Sequence, residues 1–262
     1  MLVVALGMAL SGCAAMGGLF GGGDGAPHAT DRAKKADPLH LAQRSAEEGQ
    51  HAAAVQFYRK AASRDREALA PRLGLGRSLW ALGRAEAAAG AYRDALDIAP
   101  DSVPAHLGLG RALLATDRPA PALSAFDDAL THGAQGAAPH LGRGVALDLL
   151  GRHETAQSAY RAGLTEAPGH VGLLNNLGLS LMLARRPEAA IQVLQRAARE
   201  PTATARTRHN LALAFGLAGR MDRAAAIAGR DLDTEDLREN LGYYRMLRDL
   251  SLSDAPEATP KD

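Results

Sequence analysis

Small residues return at an interval of 34 along this chain, and that interval restricts the possible folds more than any other feature. Starting from Ala42, the positions are Gly76, Gly110, Gly144, Gly178 and Ala212. Twelve residues later in each unit stands an alanine: Ala54, Ala88, Ala122, Ala156, Ala190 and Ala224. Four further on come Tyr58, Tyr92, Phe126, Tyr160, Leu194 and Ala228, and three beyond those Ala61, Ala95, Ala129, Gly163, Ala197 and Asp231. The register runs through six units without insertion and decays only in the last. Such a period is the mark of a stacked array, in which each unit buries its apolar face against its neighbours. Ala, Leu and Arg dominate, all good helix formers, so the unit is helical.

Glycine inside a helix costs about 1 kcal/mol relative to alanine. Four at one register therefore answer a packing need: two helices cross there too closely for a larger side chain. The following aromatic fills the space beside the small pair. Turn chemistry agrees. Gly49, Gly83, Gly151 and Gly219 share the fifteenth place of the unit and read as helix terminators. Pro119 and Pro187, two places later, suit the first turn of a second helix. Pro100 and Pro168 mark where that second helix is over.

These residues resemble the tetratricopeptide repeat, a helix-turn-helix unit of 34 residues. The expectation is an all-α, right-handed solenoid of about six units over residues 35–232, closed by a capping helix over 233–250. Thr234 caps that helix, Glu235 and Asp236 suit its first turn, and Leu237, Leu241, Tyr244 and Leu247 or Leu250 form its apolar stripe. Residues 251–262 read as a disordered tail. The segment Gly74-Leu75-Gly76 is not a phosphate loop, since no strand precedes it and a third glycine is absent.

The chain opens MLVVALGMALSGCAAMG. An apolar run from Leu2 to Leu10 leads to Leu10-Ser11-Gly12-Cys13, which resembles a bacterial lipobox, so residues 1–12 read as a signal peptide and Cys13 as the lipidated residue. Cys13 is the only cysteine, so no intrachain disulfide can form. Each buried methylene of a lipid contributes roughly 0.8 kcal/mol, and more than one acyl chain anchors stably. Ala14 after the cysteine, in place of Asp, favours the outer membrane and a periplasmic body. Residues 13–34, rich in glycine, form a tether with a reach of roughly 25–30 Å.

In the resembling fold the first helix of each unit lines a concave face, chiefly at places two, five, nine and twelve. That assigns Leu73, Arg77 and Trp80; Leu107, Arg111 and Leu114; Leu141, Val145 and Asp148; Asn175, Leu179 and Met182; and His209 and Leu213 to a peptide-binding groove. It is basic around Arg77 and Arg111 and apolar around Leu179, Met182 and Leu213, which suits a peptide or helix with an apolar face. Trp80, the sole tryptophan, serves either as a binding anchor or as packing against the next unit. Asn176 and Asn210 share place six but lack the basic partners of a carboxylate clamp.

Net charge is +1, which gives no electrostatic footprint for nucleic acid. Nine histidines are scattered, and neither H-E-x-x-H nor G-x-S-x-G occurs, so no enzyme, metal or cofactor is expected. The stretches NNLGLSLMLARRPEAAIQVLQRAA, RHNLALAFGLAGRMDRAAAIAGRDL and LRENLGYYRMLR resemble the Flp pilus assembly TadD family. That resemblance implies a lipoprotein of the tight-adherence (Tad) machine, bound to the secretin or another pilus component and acting as its pilotin. The alternatives are a pilotin or scaffold for a type IV pilus or type II secretion system, an adaptor for peptidoglycan hydrolases, and self-association through the solenoid end.

Overall fold

The computed structural model describes residues 37–253. The signal segment, Cys13, the tether and residues 254–262 lie outside the described residues. Thirteen α-helices follow one another, and among the described residues there is no strand. They form six pairs and a final single helix. The pairs are α1 (Pro38–Glu47) with α2 (His51–Arg64), α3 (Leu69–Ala81) with α4 (Ala85–Leu96), and α5 (Val103–Ala115) with α6 (Pro119–Thr131). Then come α7 (Ala137–Leu149) with α8 (His153–Glu166), α9 (Val171–Leu183) with α10 (Pro187–Arg199), and α11 (Ala205–Leu217) with α12 (Met221–Ala228). The last helix is α13 (Thr234–Ser253), so three residues expected in the tail continue the helix.

Every turn inside a pair has the same construction. Gly83 adopts φ +71°; its N–H donates to the carbonyl of Trp80 at 2.9 Å and that of Arg84 to Leu79 at 2.9 Å. These two bonds satisfy carbonyls that the end of a helix leaves open. Gly49, Gly151 and Gly219 repeat the conformation, with φ of 74°, 73° and 76°. In two units the same place holds Asp117 (φ 53°) and Arg185 (φ 58°), so there the turn is imposed on residues that seldom adopt it. Pro119 and Pro187 start α6 and α10, where a missing N–H costs nothing.

The core runs as a continuous thread through the pairs. All six alanines of the second helices are 0% exposed, from Ala54 to Ala224. The rings beside them are buried, and those of Tyr92 and Phe126 are each gripped by two glycines, whereas Tyr58 meets only Gly74 and Tyr160 only Gly144. A Cβ on Gly76 would lie 2.7 Å from the Tyr92 ring, and one on Gly108 of the next unit would strike the same ring. Phe126 is held in the same way between Gly110 and Gly142. This explains the Gly-x-Gly doublet: the second glycine receives the ring of its own unit, the first receives the ring of the unit before. First helices of consecutive units touch one another, whereas second helices do not. The first helices therefore form the inner, concave row, and the second helices splay outward.

The end is covered as expected, but Asp233 and not Thr234 caps the covering helix, its Oδ1 accepting from the N–H groups of Glu235 at 2.9 Å and Asp236 at 3.0 Å. Helix α13 packs on α11 and α12. Tyr244 is buried against Gly216, Leu237 and Leu241 join the core, Leu247 is half-buried and Leu250 is exposed.

Burial holds the phenols of Tyr58, Tyr92, Tyr160 and Tyr244 above their ordinary value of 10.0. In the unfolded chain they ionise near 10. Between that pH and the folded values the native state keeps protons that the unfolded state has lost, so stability falls as pH rises. Alkaline titration should thus show phenolate absorbance growing together with loss of helical dichroism. Ionisation of all the tyrosines with the helices intact would contradict this account of the core.

Candidate functional site

The expected groove lies on the inner row of helices, and its members divide by burial. Arg77 is exposed, and Arg111, Leu179, His209 and Leu213 are partly so. Arg111 is steadied by its own helix, its Nε donating to the carbonyl of Leu107 at 3.1 Å. Leu73, Leu107 and Leu141 are half-buried and pack onto the core clusters beneath. Trp80 lies half-buried on the cluster that contains Leu79 and Tyr92, so it packs within the solenoid and still leaves part of its ring accessible.

Leu114, Val145, Asn175 and Met182 are buried instead of presented to a partner. The physical reason is the contact between successive first helices, which takes these side chains into the joints between units. Leu114 and Val145 share one cluster across such a joint. Asn175 donates through Nδ2 to the Thr207 hydroxyl at 2.9 Å, linking α9 to α11. The Nδ2 of Asn176 donates to the carbonyl of Gly172 at 2.8 Å, within its own helix. His209 faces the Asp231 carboxylate at 3.7 Å.

Asp148 differs most from its expected place on an open wall. Its side chain is only 12% exposed. The carboxylate accepts from the Tyr160 hydroxyl at 2.9 Å and the Ser180 hydroxyl at 2.7 Å, and lies 2.9 Å from His153 Nδ1. The Tyr160 phenol is pushed up first by burial and then by the neighbouring Asp148 charge. Tyr160 belongs to the aromatic register, and Ser180 and His153 carry no motif; the signal in sequence is Asp148 itself, at a place where the other units have Ala46, Trp80, Leu114, Met182 and Gly216. Serine, histidine and aspartate are the residues of a hydrolytic triad, but the arrangement is wrong for one. Histidine must stand between serine and carboxylate. Here the Ser180 hydroxyl and the His153 nitrogen meet the same oxygen of Asp148, and Ser180 is fully buried. The cluster is a clasp between the fourth and fifth units.

Models of the tetratricopeptide repeat match residues 39–103, 79–141 and 141–204, and so run without a break from 39 to 204. The chain is a tetratricopeptide-repeat protein. Proteins of this family are scaffolds that bind peptides and proteins, and the helical pairs described above are their repeat. No curated protein matches the chain. Several solved structures share the tetratricopeptide fold. PilW, described as a widely conserved type IV pilus biogenesis factor, is 19% identical with a TM-score of 0.67, over 82% of this chain and 96% of PilW. YrrB, described as a TPR protein with an unusual peptide-binding site, is 16% identical with a TM-score of 0.56, over 75% of this chain and 97% of YrrB. TTC0263, a thermophilic TPR protein of Thermus thermophilus, is 25% identical with a TM-score of 0.55, over 68% of this chain and 100% of its own.

Proposed function

We propose that this tetratricopeptide-repeat protein is a lipid-anchored adaptor of the bacterial envelope that assists assembly of the Flp (Tad) pilus machinery as pilotin for its secretin. The observation that carries the docking role is the inner row of first helices. At one register it changes from Arg77 and Arg111 to Leu179 and Leu213. A bound segment would set acidic residues against the arginines and an apolar stretch against the leucines, with Trp80 as the anchor. Cys13 would carry the lipid and hold the body at the periplasmic face of the outer membrane, within reach of an assembling pore. Lipid and groove acting on one partner raise its effective concentration. The likeness to PilW favours a second reading, the same adaptor role in a type IV pilus.

Capture of envelope proteins by the purified chain, followed by mass spectrometry, tests the reading. Secretin or other Tad parts should be retained, and type IV pilus parts under the second reading. Trp80→Ala, an anchor truncation of about 2 kcal/mol, should weaken capture about thirtyfold. Cys13→Ser should move the protein out of the membrane fraction. Retention of peptidoglycan hydrolases alone would end the pilus proposal.

A further inference from the structure

Because second helices of neighbouring units stand apart, each junction leaves a cleft on the outer side, floored by a first helix. Two of these clefts are open recesses that the repeat makes directly comparable. The one between α4 and α6 has a volume of about 240 Å³, and that between α10 and α12 about 440 Å³. Nine of the ten places that line one also line the other, Arg199 and Arg118 being the exceptions, so the cleft itself is a product of the fold. Its decoration is not. In the larger cleft Arg199, Arg208, Arg223 and Arg230 stand around a floor of Leu211 and Phe215. In the smaller one the places of the last three arginines are taken by His106, Pro121 and Asp128. No other junction puts arginine at all four places.

Packing does not require these arginines. Arg199, Arg223 and Arg230 are exposed. Arg208 is aimed by Asp231, whose carboxylate accepts from its Nε at 2.7 Å. Asp231 stands where the five preceding units carry alanine or glycine, so the last unit gives up a core position to hold a guanidinium. No residue lining the cleft is acidic, while the chain as a whole is nearly neutral at +1. The floor residues Leu211 and Phe215 are 6% and 5% exposed, at the bottom of a recess. A recess of this kind admits one apolar side chain, where a flat bilayer would touch only the rim.

We propose that the cleft between α10 and α12 is a second docking surface, which binds an acidic peptide segment through one apolar anchor side chain. It is separate from the concave groove and lies on the opposite side of the solenoid. Arginine suits the task because its planar fork pairs with carboxylates at two points and its charge is permanent.

Fluorescence polarisation with the full chain provides the test. The probe is a labelled peptide of alternating glutamate and serine around a single phenylalanine. The reversal R199E/R223E/R230E, which spares the paired Arg208, should weaken binding at least about tenfold. The matched reversal R59E/R64E/K60E on exposed positions of α2 should leave it unchanged. Replacing the peptide phenylalanine by serine should also cost about tenfold, and this arm does not alter the protein. The proposal is overturned by equal binding of the two reversal variants, by indifference to the phenylalanine, or by no saturable binding of the peptide. It is also overturned if phosphatidylglycerol vesicles bind and the peptide does not.

Discussion

Replacing Gly142 by leucine should destabilise the protein by about 2 kcal/mol and uncouple the third unit from the fourth. Phe126 is 1% exposed and has nowhere to retreat. A side chain at Gly142 strikes its ring, and the ring is also held close to Gly110, where a Cβ would lie 2.8 Å away. Overpacking of this kind costs typically 1–3 kcal/mol. Leucine recovers up to about 1 kcal/mol through helix propensity, so the loss is net of that gain. Gly90→Leu is the control: a Cβ there meets nothing within 4 Å, and the propensity gain should appear alone. Adding Phe126→Ala to the leucine variant should cost less than the sum of the two changes, because the new side chain enters the space the ring vacates. Since an array of repeats need not unfold in one step, hydrogen exchange read on α6 and α7 is the appropriate measurement. Protection of those helices equal to the parent's would refute the two-glycine grip.

The second large effect is expected at Asp148. Its replacement by alanine strands the buried Tyr160 hydroxyl and removes the main acceptor of Ser180, which keeps only a 3.2 Å contact to the His153 carbonyl. Each unsatisfied buried group costs about 1–3 kcal/mol, so a total of about 3 kcal/mol is expected, read as lost hydrogen-exchange protection across α7, α8 and α9. The triple change Asp148→Ala, Tyr160→Phe, Ser180→Ala should recover much of that loss, because no polar group is then left without a partner. If the triple variant is no more stable than Asp148→Ala, the clasp is not what holds these units together.

Much of this architecture is written in the sequence because repetition supplies its own comparison. The register of Gly76, Ala88 and Tyr92 marks a helix crossing, and Gly83 marks the turn before it. The first glycine of the doublet is harder to interpret. Gly74, Gly108 and Gly142 recur as regularly as their partners, but their purpose lies in the ring of the preceding unit, and a unit read by itself does not contain that ring. Asp117 and Arg185 show the limit in another way. A turn demanded by the fold holds them in a glycine conformation that their own chemistry does not announce. The groove is legible by helix and not by side chain. Residues such as Val145 and Asn175 are on the inner row, yet how far the first helices approach one another decides whether they face a partner or a joint. The outer clefts have no sequence signal until the structure shows which places share one.

Each second helix packs on the first helix that follows but stands apart from the next second helix, and this has a mechanical consequence. The molecule can bend like a book held by its spine, with pages that spread on one side while the binding stays intact. Widening an outer gap tightens the inner curve, and filling that gap keeps the curve from relaxing. Whatever wedges between α10 and α12 therefore sets the radius of the surface offered on the far side.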